Sequence, residues 1–185
     1  MSAVRTKTFV TGCLLAITLT FSSCGGDDPA LDETVDFKDT NLKAKVCEAL
    51  AKPKGINLTR RDLAKLVNLE ASESKISNLT GFEYATNLTE LRFRGNKIGN
   101  VVRLAKLTKL THLDLAANVI ADVAPLAQLT NLTYLDLSEN RIVDVAPLAK
   151  LTNLSRLILL DAGAVGEASR AMLQNALPKC SIQFE

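Results

Sequence analysis

The feature that most constrains this chain is a 22-residue segment that recurs at a fixed period. Residues 129–150 read LTNLTYLDLSENRIVDVAPLAK, and residues 107–128, one period earlier, read LTKLTHLDLAANVIADVAPLAQ. The same phase continues without an insertion through residues 85–106 and 63–84, and a fifth copy opens at Leu151 and then decays. A fixed period of about 20 to 50 residues is typical of solenoids, in which each coil packs only against its neighbours. Each copy therefore corresponds to one coil, and its residues occupy places 1 to 22 of that coil.

Most places in the coil keep one residue type, and each type has a structural role. Leucines at places 4, 7 and 9 alternate with polar residues, which predicts a short strand with one face in the core. Asn at place 12 is expected to turn the chain and to bond buried backbone groups of its own and the neighbouring coil. The polar residue at place 16 is expected to cap the next turn, and Pro at place 19 to hold it. In order, these three places hold Asn96, Asn118 and Asn140; Asn78, Asn100, Asp122 and Asp144; and Pro125 and Pro147.

The pattern LxxLxLxxNxI resembles the leucine-rich repeat family, and the 22-residue form with D-[VIL]-x-PLA is similar to the bacterial internalin type. The resemblance covers the chain from about residue 35 onward. It implies an α/β leucine-rich repeat solenoid with a curved parallel sheet of about five coils, and a role in protein binding without catalysis. Ser74 and Ala162 depart from the pattern because they replace Asn at place 12 in the first and last copies. Terminal repeats commonly differ from the others since they also seal the core.

The residues before the repeats predict a helical N-cap. Asp39 is expected to begin a helix that runs to about Ala51. Thr59 and Asp62 have the spacing of a capping box, which predicts a second, short helix. These helices would cover the open end of the leucine core.

The residues after the repeats predict a C-cap made of one helix and one strand. The helix is predicted over residues 167–177, with Ala168, Ala171, Met172 and Leu177 on its buried side. The closing segment CSIQF alternates like a final strand. The predicted divisions are a signal peptide at 1–23, a lipidated Cys and tether at 24–34, the N-cap at 35–62, the repeats at 63–160 and the C-cap at 161–185.

The N-terminal segment predicts export. Arg5 and Lys7 precede an apolar run that is too short to span a bilayer. The run ends in FSSC, which resembles the bacterial lipobox and implies cleavage before Cys24 and acylation of its thiol. An ordinary signal peptide with a coincidental Cys is the alternative interpretation. We therefore expect a lipoprotein of the bacterial cell envelope, on the outer membrane or cell surface, whose contact with the membrane is the lipid on Cys24.

Net charge and the positions of the cysteines argue against a nucleic-acid partner, a disulfide and a metal site. Once Arg5 and Lys7 are removed with the signal, 20 basic and 20 acidic residues cancel, which argues against a nucleic-acid partner. Cys47 and Cys180 lie in opposite caps, on the order of 20 to 25 Å apart at strand spacing, and a disulfide needs Cα atoms within about 7 Å. Both are predicted to be buried free thiols. With one His in the chain, neither a metal site nor a cofactor is expected, and we expect a monomer.

The outward residues at places 6, 8 and 10 of each coil form the candidate binding surface. Tyr and Arg on this surface are the expected anchors because both are enriched at binding hot spots. The alternative is a solvated sheet face with ordinary cross-strand charge pairs, such as Arg92 with Asp114. The predicted ligand-binding residues are Glu90, Arg92, Arg94, His112, Asp114, Tyr134, Asp136 and Arg156.

The sequence therefore predicts a non-catalytic module that binds a protein partner through its concave sheet, as an adhesin or receptor does. The alternative is a structural envelope lipoprotein that contacts neighbouring envelope proteins. A distant third is a hydrolase that uses His112 and Asp114, with Ser138 one coil away. His112 and Asp114 are only two residues apart on one strand and no oxyanion-hole motif is visible, so catalysis is not the expected function.

Overall fold

The computed structural model describes residues 28–163 and 165–184, so the predicted signal peptide and Cys24 lie outside the described residues. Six short strands form one open sheet, parallel throughout and ordered as they occur in the chain. Each strand holds three residues centred on place 7 of its coil, except the last, which belongs to the C-cap. The strands are β1 Asn68–Glu70, β2 Glu90–Arg92, β3 His112–Asp114, β4 Tyr134–Asp136, β5 Arg156–Ile158 and β6 Ser181–Gln183.

The register of the sheet follows the repeat period. Leu69 pairs with Leu91, and each later coil continues the step of 22 residues as far as Leu157. Ile182 of β6 takes the next position beside Leu157. The α/β leucine-rich repeat solenoid and its closing strand are thus confirmed.

The opposite side of each coil is a short 3-10 helix. The residue at place 16 caps the turn that leads into this helix. Asp122 Oδ1 accepts a hydrogen bond from the backbone N–H of Ala124 at 2.8 Å, and Asp144 Oδ1 accepts one from that of Ala146 at 2.8 Å. Pro at place 19 lies in the first turn of the last two of these helices, so the predicted turn chemistry is confirmed. The 3-10 helices of the coils are Phe82–Tyr84, Val102–Lys106, Ala124–Gln128 and Ala146–Lys150, and one more, Pro29–Asp32, precedes the N-cap.

The asparagines at place 12 join the coils inside the solenoid. Asn118 donates from Nδ2 to the carbonyls of Phe93 and Leu115 at 3.0 Å each, and its Oδ1 accepts the N–H of Ile98 at 3.0 Å. Asn140 repeats this arrangement one coil later. These side chains satisfy backbone groups that would otherwise be buried without partners, at a cost of about 1 to 3 kcal/mol each.

The core is a continuous column of leucines closed by larger side chains at the N-terminal end. Phe82 and Phe93 fill that end, with ring centroids 5.5 Å apart. Cys47 is buried and free, as predicted. The prediction of burial is wrong for Cys180, which is free but only half-buried because it lies at the open end of the C-cap.

The N-cap is tied to the first coil through one carboxylate. Asp39 Oδ1 caps the first helix by accepting the N–H groups of Asn41 and Leu42 at 3.0 and 3.1 Å. Its Oδ2 accepts the N–H groups of Ser77 and Asn78 in the first coil at 2.8 and 3.2 Å. Burial acts to raise the pKa of Asp39, but these backbone N–H groups outweigh it and hold the pKa below its usual value.

Two helices form the N-cap and one helix the C-cap. The predicted capping box is confirmed, with Thr59 and Asp62 bonding each other's backbone N–H groups. The predicted buried side of the C-cap helix is confirmed for Met172, which packs against the core, and for Leu177, which is buried. It is wrong for Ala168 and Ala171, which are exposed, and Leu173 is buried in their stead. An alanine offers too little apolar surface to orient a helix that also carries a leucine. The helices are α1 Thr40–Ala49, α2 Arg60–Leu63 and α3 Glu167–Ala176.

Candidate binding surface on the strands

The candidate site is the outer surface of the sheet, formed by places 6, 8 and 10 of the five coils, which we call the strand face. Places 6 and 8 flank the buried leucine of place 7, so their side chains point away from the core. Equivalent residues of adjacent coils are register partners, which puts His112 between Glu90 and Tyr134. The strand face consists of Asn68, Glu70, Ser72, Glu90, Arg92, Arg94, His112, Asp114, Ala116, Tyr134, Asp136, Ser138, Arg156, Ile158 and Leu160.

The centre of the strand face is an aromatic pair. The rings of His112 and Tyr134 stack with centroids 4.1 Å apart and planes 3° from parallel. Burial raises the pKa of the Tyr134 phenol, and the carboxylates of Asp136 and Asp114 raise it further. The two rings form a flat platform in a negative local field, and their stacking contributes about 0.5 to 1.5 kcal/mol beyond area burial.

Two carboxylates lie next to this platform on the same strands. Asp114 Oδ1 accepts the N–H of Ala116 at 2.9 Å. Asp136 Oδ1 accepts both the N–H of Ser138 at 2.9 Å and its hydroxyl at 2.6 Å. These bonds fix both carboxylates in one orientation before any partner arrives.

The two carboxylates also repel each other. Asp114 and Asp136 are register partners on β3 and β4. Burial raises the pKa of Asp114, the N–H of Ala116 lowers it, and the charge of Asp136 raises it again. Arg94 and His112 lower the pKa of Asp114, but the net shift is upward. A cation bound between the carboxylates would relieve this repulsion.

Two arginines of the strand face are held by neighbouring acids. Arg92 is in register with Asp114, yet its ion pair is with Glu90 of its own strand, so the predicted pairing of Arg92 with Asp114 is wrong. Arg94 reaches two coils along the sheet to Glu139, with 3.0 Å between Nη2 and Oε1. Ala116, at the place of Arg94 in the coil between them, is fully buried.

Arg156 is different from these two arginines. It is exposed on β5, in register with Tyr134, and no ion pair within the described residues involves it. Beyond it the strand face becomes apolar, with Ile158 and Leu160 partly exposed. The C-terminal part of the strand face therefore offers a free cation next to apolar surface.

The strand face has no assembled nucleophile. Ser138 donates its hydroxyl to Asp136 and is itself buried. His112 is stacked on Tyr134, and across the described ranges no hydrogen bond joins it to Asp114 or Ser138. A nucleophile needs a base within hydrogen-bonding reach, so this geometry favours binding over acyl transfer.

The structure places all eight predicted ligand-binding residues on one face of the sheet, where Asp136 alone among them is buried. It also shows two features that the sequence did not predict. Asp136, Ser138 and Ala116 are buried although their places point outward. Glu139 takes part through the arginine bridge, and no sequence signal marked it, because place 11 keeps no single residue type and holds Glu, Gly, Ala, Glu and Asp in the five coils.

The repeats match known families. The family described as leucine-rich repeats in two copies matches residues 86–128, and a single leucine-rich repeat family matches residues 128–145. Together with the parallel sheet and its 22-residue register, these matches define the class: the molecule is a leucine-rich repeat solenoid. Solenoids of this class generally present an extended surface for protein interaction.

Within this class, the chain is a leucine-rich repeat protein with internalin-like structural neighbours. An internalin (inlF) from Listeria monocytogenes is 32% identical with a TM-score of 0.71, and the match covers 80% of this chain and 43% of that one. The functional domain of InlJ from Listeria monocytogenes is 25% identical with a TM-score of 0.59 and covers 80% and 37%. A leucine-rich repeat protein from Leptospira interrogans, 23% identical with a TM-score of 0.54 and covering 66% and 38%, shares the fold. The chain spans less than half the length of each, and no curated protein matches its sequence.

Proposed function

We propose that this chain is a non-catalytic protein-binding module that uses the strand face to hold a protein partner at the bacterial cell envelope. The observation that carries the proposal is the stacked His112–Tyr134 pair, with Asp114 and Asp136 fixed beside it by backbone hydrogen bonds. Side chains that are ordered before binding lose little entropy on contact, which favours affinity from a small surface. Aromatic side chains at the centre of a surface are also the usual binding hot spots.

The anchoring part of the proposal concerns residues that precede the described fold. Acylation of Cys24 would tether the domain through the residues between Cys24 and the 3-10 helix Pro29–Asp32, which is held to the N-cap by the ion pair of Asp32 with Arg61. The strand face would then be free to meet a partner. Within residues 28–163 and 165–184, every helix is too short or too polar to cross a bilayer. The adhesin or receptor function and the structural envelope function both use this arrangement, and they differ in the source of the partner.

Photocross-linking in the source cells tests the binding surface. A photoreactive phenylalanine at position 134 should capture a discrete protein, because Tyr134 lies at the centre of the strand face. The control places the same group at Lys106, an exposed residue on the opposite side of the coil. Capture from position 106 but not from position 134 would contradict the strand face as the binding surface. The identity of the captured protein, from the same envelope or from outside the cell, separates the two functions.

Protease treatment of intact cells, followed by mass spectrometry of the N-terminal peptide, tests the anchor. A diacylated or triacylated Cys24 with loss of the repeat domain from intact cells is the result expected for outward display. Protection of the domain until the envelope is broken would rule out an adhesin. An unmodified Cys24 would rule out the lipid anchor, for which a Cys24→Ser variant is the matched control.

A further inference from the structure

The charges of the strand face are unequally satisfied. Arg92 and Arg94 are neutralised by Glu90 and Glu139. Within the described ranges no ion pair joins Asp114 or Asp136 to a basic side chain, and none joins Arg156 to an acidic one. The charges left for a partner are therefore Glu70 at the N-terminal edge of the strand face, a pair of acids on β3 and β4, and one base on β5. The last three lie close together on adjacent strands.

The second oxygen of each carboxylate makes no hydrogen bond within the described residues, although Asp114 is half-buried and Asp136 is only 7% exposed. Asp114 and Asp136 both use Oδ1 for the backbone bond two residues ahead. No buried side-chain oxygen or nitrogen in the described part of the chain lacks a hydrogen-bond partner. Since the Oδ2 atoms have no such bond, they must reach solvent rather than lie sealed in the core. Two adjacent strands lie about 4.8 Å apart, so one ammonium or guanidinium group that contacts Asp114 is also within reach of the small exposed part of Asp136.

The aromatic pair suits the stem of a basic side chain. The His112 and Tyr134 rings lie on the same two strands as the carboxylates, two residues earlier. Long basic side chains cover apolar surface with their methylene groups while the charged end stays polar, and a guanidinium group stacks on aromatic rings. The platform and the carboxylates therefore match the two ends of one Arg or Lys.

Arg156 supplies a second point of recognition with the opposite charge. It is the register partner of Tyr134 and lies one strand beyond Asp136. From strand spacing and rise, its Cα is about 8 Å from that of Asp136, within the span of a few residues of extended peptide. An acidic side chain of the same partner segment can therefore reach it.

On this arrangement, and resting on the proposed function, we propose that the strand face selects an extended protein segment carrying a basic and an acidic side chain close together. The basic side chain contacts Asp114 and Asp136 with its stem on the His112–Tyr134 rings. The acidic side chain pairs with Arg156. Opposite charges at two separate points fix the direction in which the segment lies, which a single charged patch does not.

Selection from a phage-displayed library of random linear peptides on the purified full chain tests this specificity. The expected result is enrichment of peptides that contain Arg or Lys near Asp or Glu. Asp114→Asn should lower the affinity for the selected peptides at least about tenfold, because it removes a charge-assisted hydrogen bond. Arg156→Glu should change the selection itself, so that a second basic residue replaces the acidic one. Arg156 is exposed, so this variant is expected to fold, and circular dichroism verifies it.

The control variant is Arg141→Glu, an equal charge reversal on an exposed residue outside the strand face, and it should leave the selected sequences unchanged. Enriched peptides without a basic residue, or with a charge pattern that Arg156→Glu does not alter, would overturn the inference. Tyr134→Ala separates this failure from that of the proposed function. If the selected peptides no longer bind Tyr134→Ala but bind the charge variants as before, the strand face remains the binding surface and its proposed charge preference is wrong. If the peptides also bind Tyr134→Ala as tightly as the unmodified chain, the strand face is not the binding surface.

Discussion

Two rows of residues run along the solenoid and differ in how much they vary. Place 12, inside, holds Asn in coils 2, 3 and 4, with the same bonds to the neighbouring coil each time. Place 6, on the strand face, changes at every coil from Glu90 to His112, Tyr134 and Arg156. The inner row repeats because each coil presents it with the same backbone groups to satisfy.

The contrast between the two rows shows where function can be encoded in a repeat protein. A place that must satisfy the backbone has one acceptable residue, whereas a place that faces solvent is free to vary. Changes in the inner row should therefore alter stability and leave the charge preference of the strand face intact. Changes on the strand face should do the opposite.

Removal of the Asn side chain at place 12 of the middle coil should lower stability more than the other substitutions. Asn118→Ala leaves the N–H of Ile98 buried without its partner. The carbonyl of Phe93 loses one bond and keeps a second from Asn96, and the carbonyl of Leu115 keeps its bond from Asn140. At about 1 to 3 kcal/mol for the unsatisfied N–H and about 0.5 to 1.5 kcal/mol for each lost bond, we expect a loss of about 3 kcal/mol in the free energy of unfolding, measured by urea denaturation.

The matched control for this change is an exposed Asn of the same chain. Asn131 donates one hydrogen bond, to the carbonyl of Thr108 at 2.8 Å, at the edge of the solenoid. Because water can replace its partner, Asn131→Ala should lower the free energy of unfolding by less than about 1 kcal/mol. Equal losses for the two variants would contradict the separation between an inner row and the surface.

The next largest effect concerns the junction of the N-cap and its dependence on pH. The pKa of Asp39 is lowered in the folded state, so this group contributes stability that is present above its unfolded pKa and is lost as pH falls through the folded pKa. We expect Asp39→Asn to lower the free energy of unfolding by about 1 to 2 kcal/mol at pH 7. The difference from the unmodified chain should shrink as pH falls from about 5 towards 2. Asp36→Asn, which alters an exposed carboxylate three residues away, is the control and should lower the free energy of unfolding by less than about 1 kcal/mol at pH 7.

A smaller effect is expected at place 11, which is left-handed in all five coils although four of them lack glycine there. Gly95 has φ +69°, and an added Cβ would also meet Glu73 Cγ at 3.0 Å. Ala117 takes the same conformation with φ +54°. Gly95→Ala should therefore lower the free energy of unfolding by about 1 kcal/mol, and Ala117→Gly should raise it by about 0.5 kcal/mol. Changes of the same sign in both variants would show that the strain is not a property of the place.

Much of the scaffold followed from the sequence because its constraints are periodic. The register, the roles of Asn96, Asn118 and Asn140, and the capping box of Thr59 and Asp62 each depend on fixed spacing. Spacing is visible in a sequence, and the same backbone need recurs in every coil.

The details of the strand face did not follow in the same way. The sequence placed Arg92 beside Asp114, but the choice between Asp114 and Glu90 as its partner depends on side-chain conformation. The reach of Arg94 to Glu139 depends on the small Ala116 between them. Similarly, the buried side of α3 was decided by packing against the last coil, which periodicity alone did not reveal.

Loss of the ion pair between Arg94 and Glu139 should have the smallest effect on stability. This pair tests where the scaffold ends and the variable surface begins. It lies on the variable surface but joins coils 2 and 4, as an inner residue would. Both side chains are about half exposed, at 47% and 55%, so solvent screens the pair. A double-mutant cycle with Arg94→Gln and Glu139→Gln should give a coupling below about 1 kcal/mol, lost in about 1 M salt, where the Debye length is about 3 Å. A coupling near 2 kcal/mol that persists in salt would show that this ion pair stabilises the scaffold. The variable surface would then consist of places 6 and 8 alone.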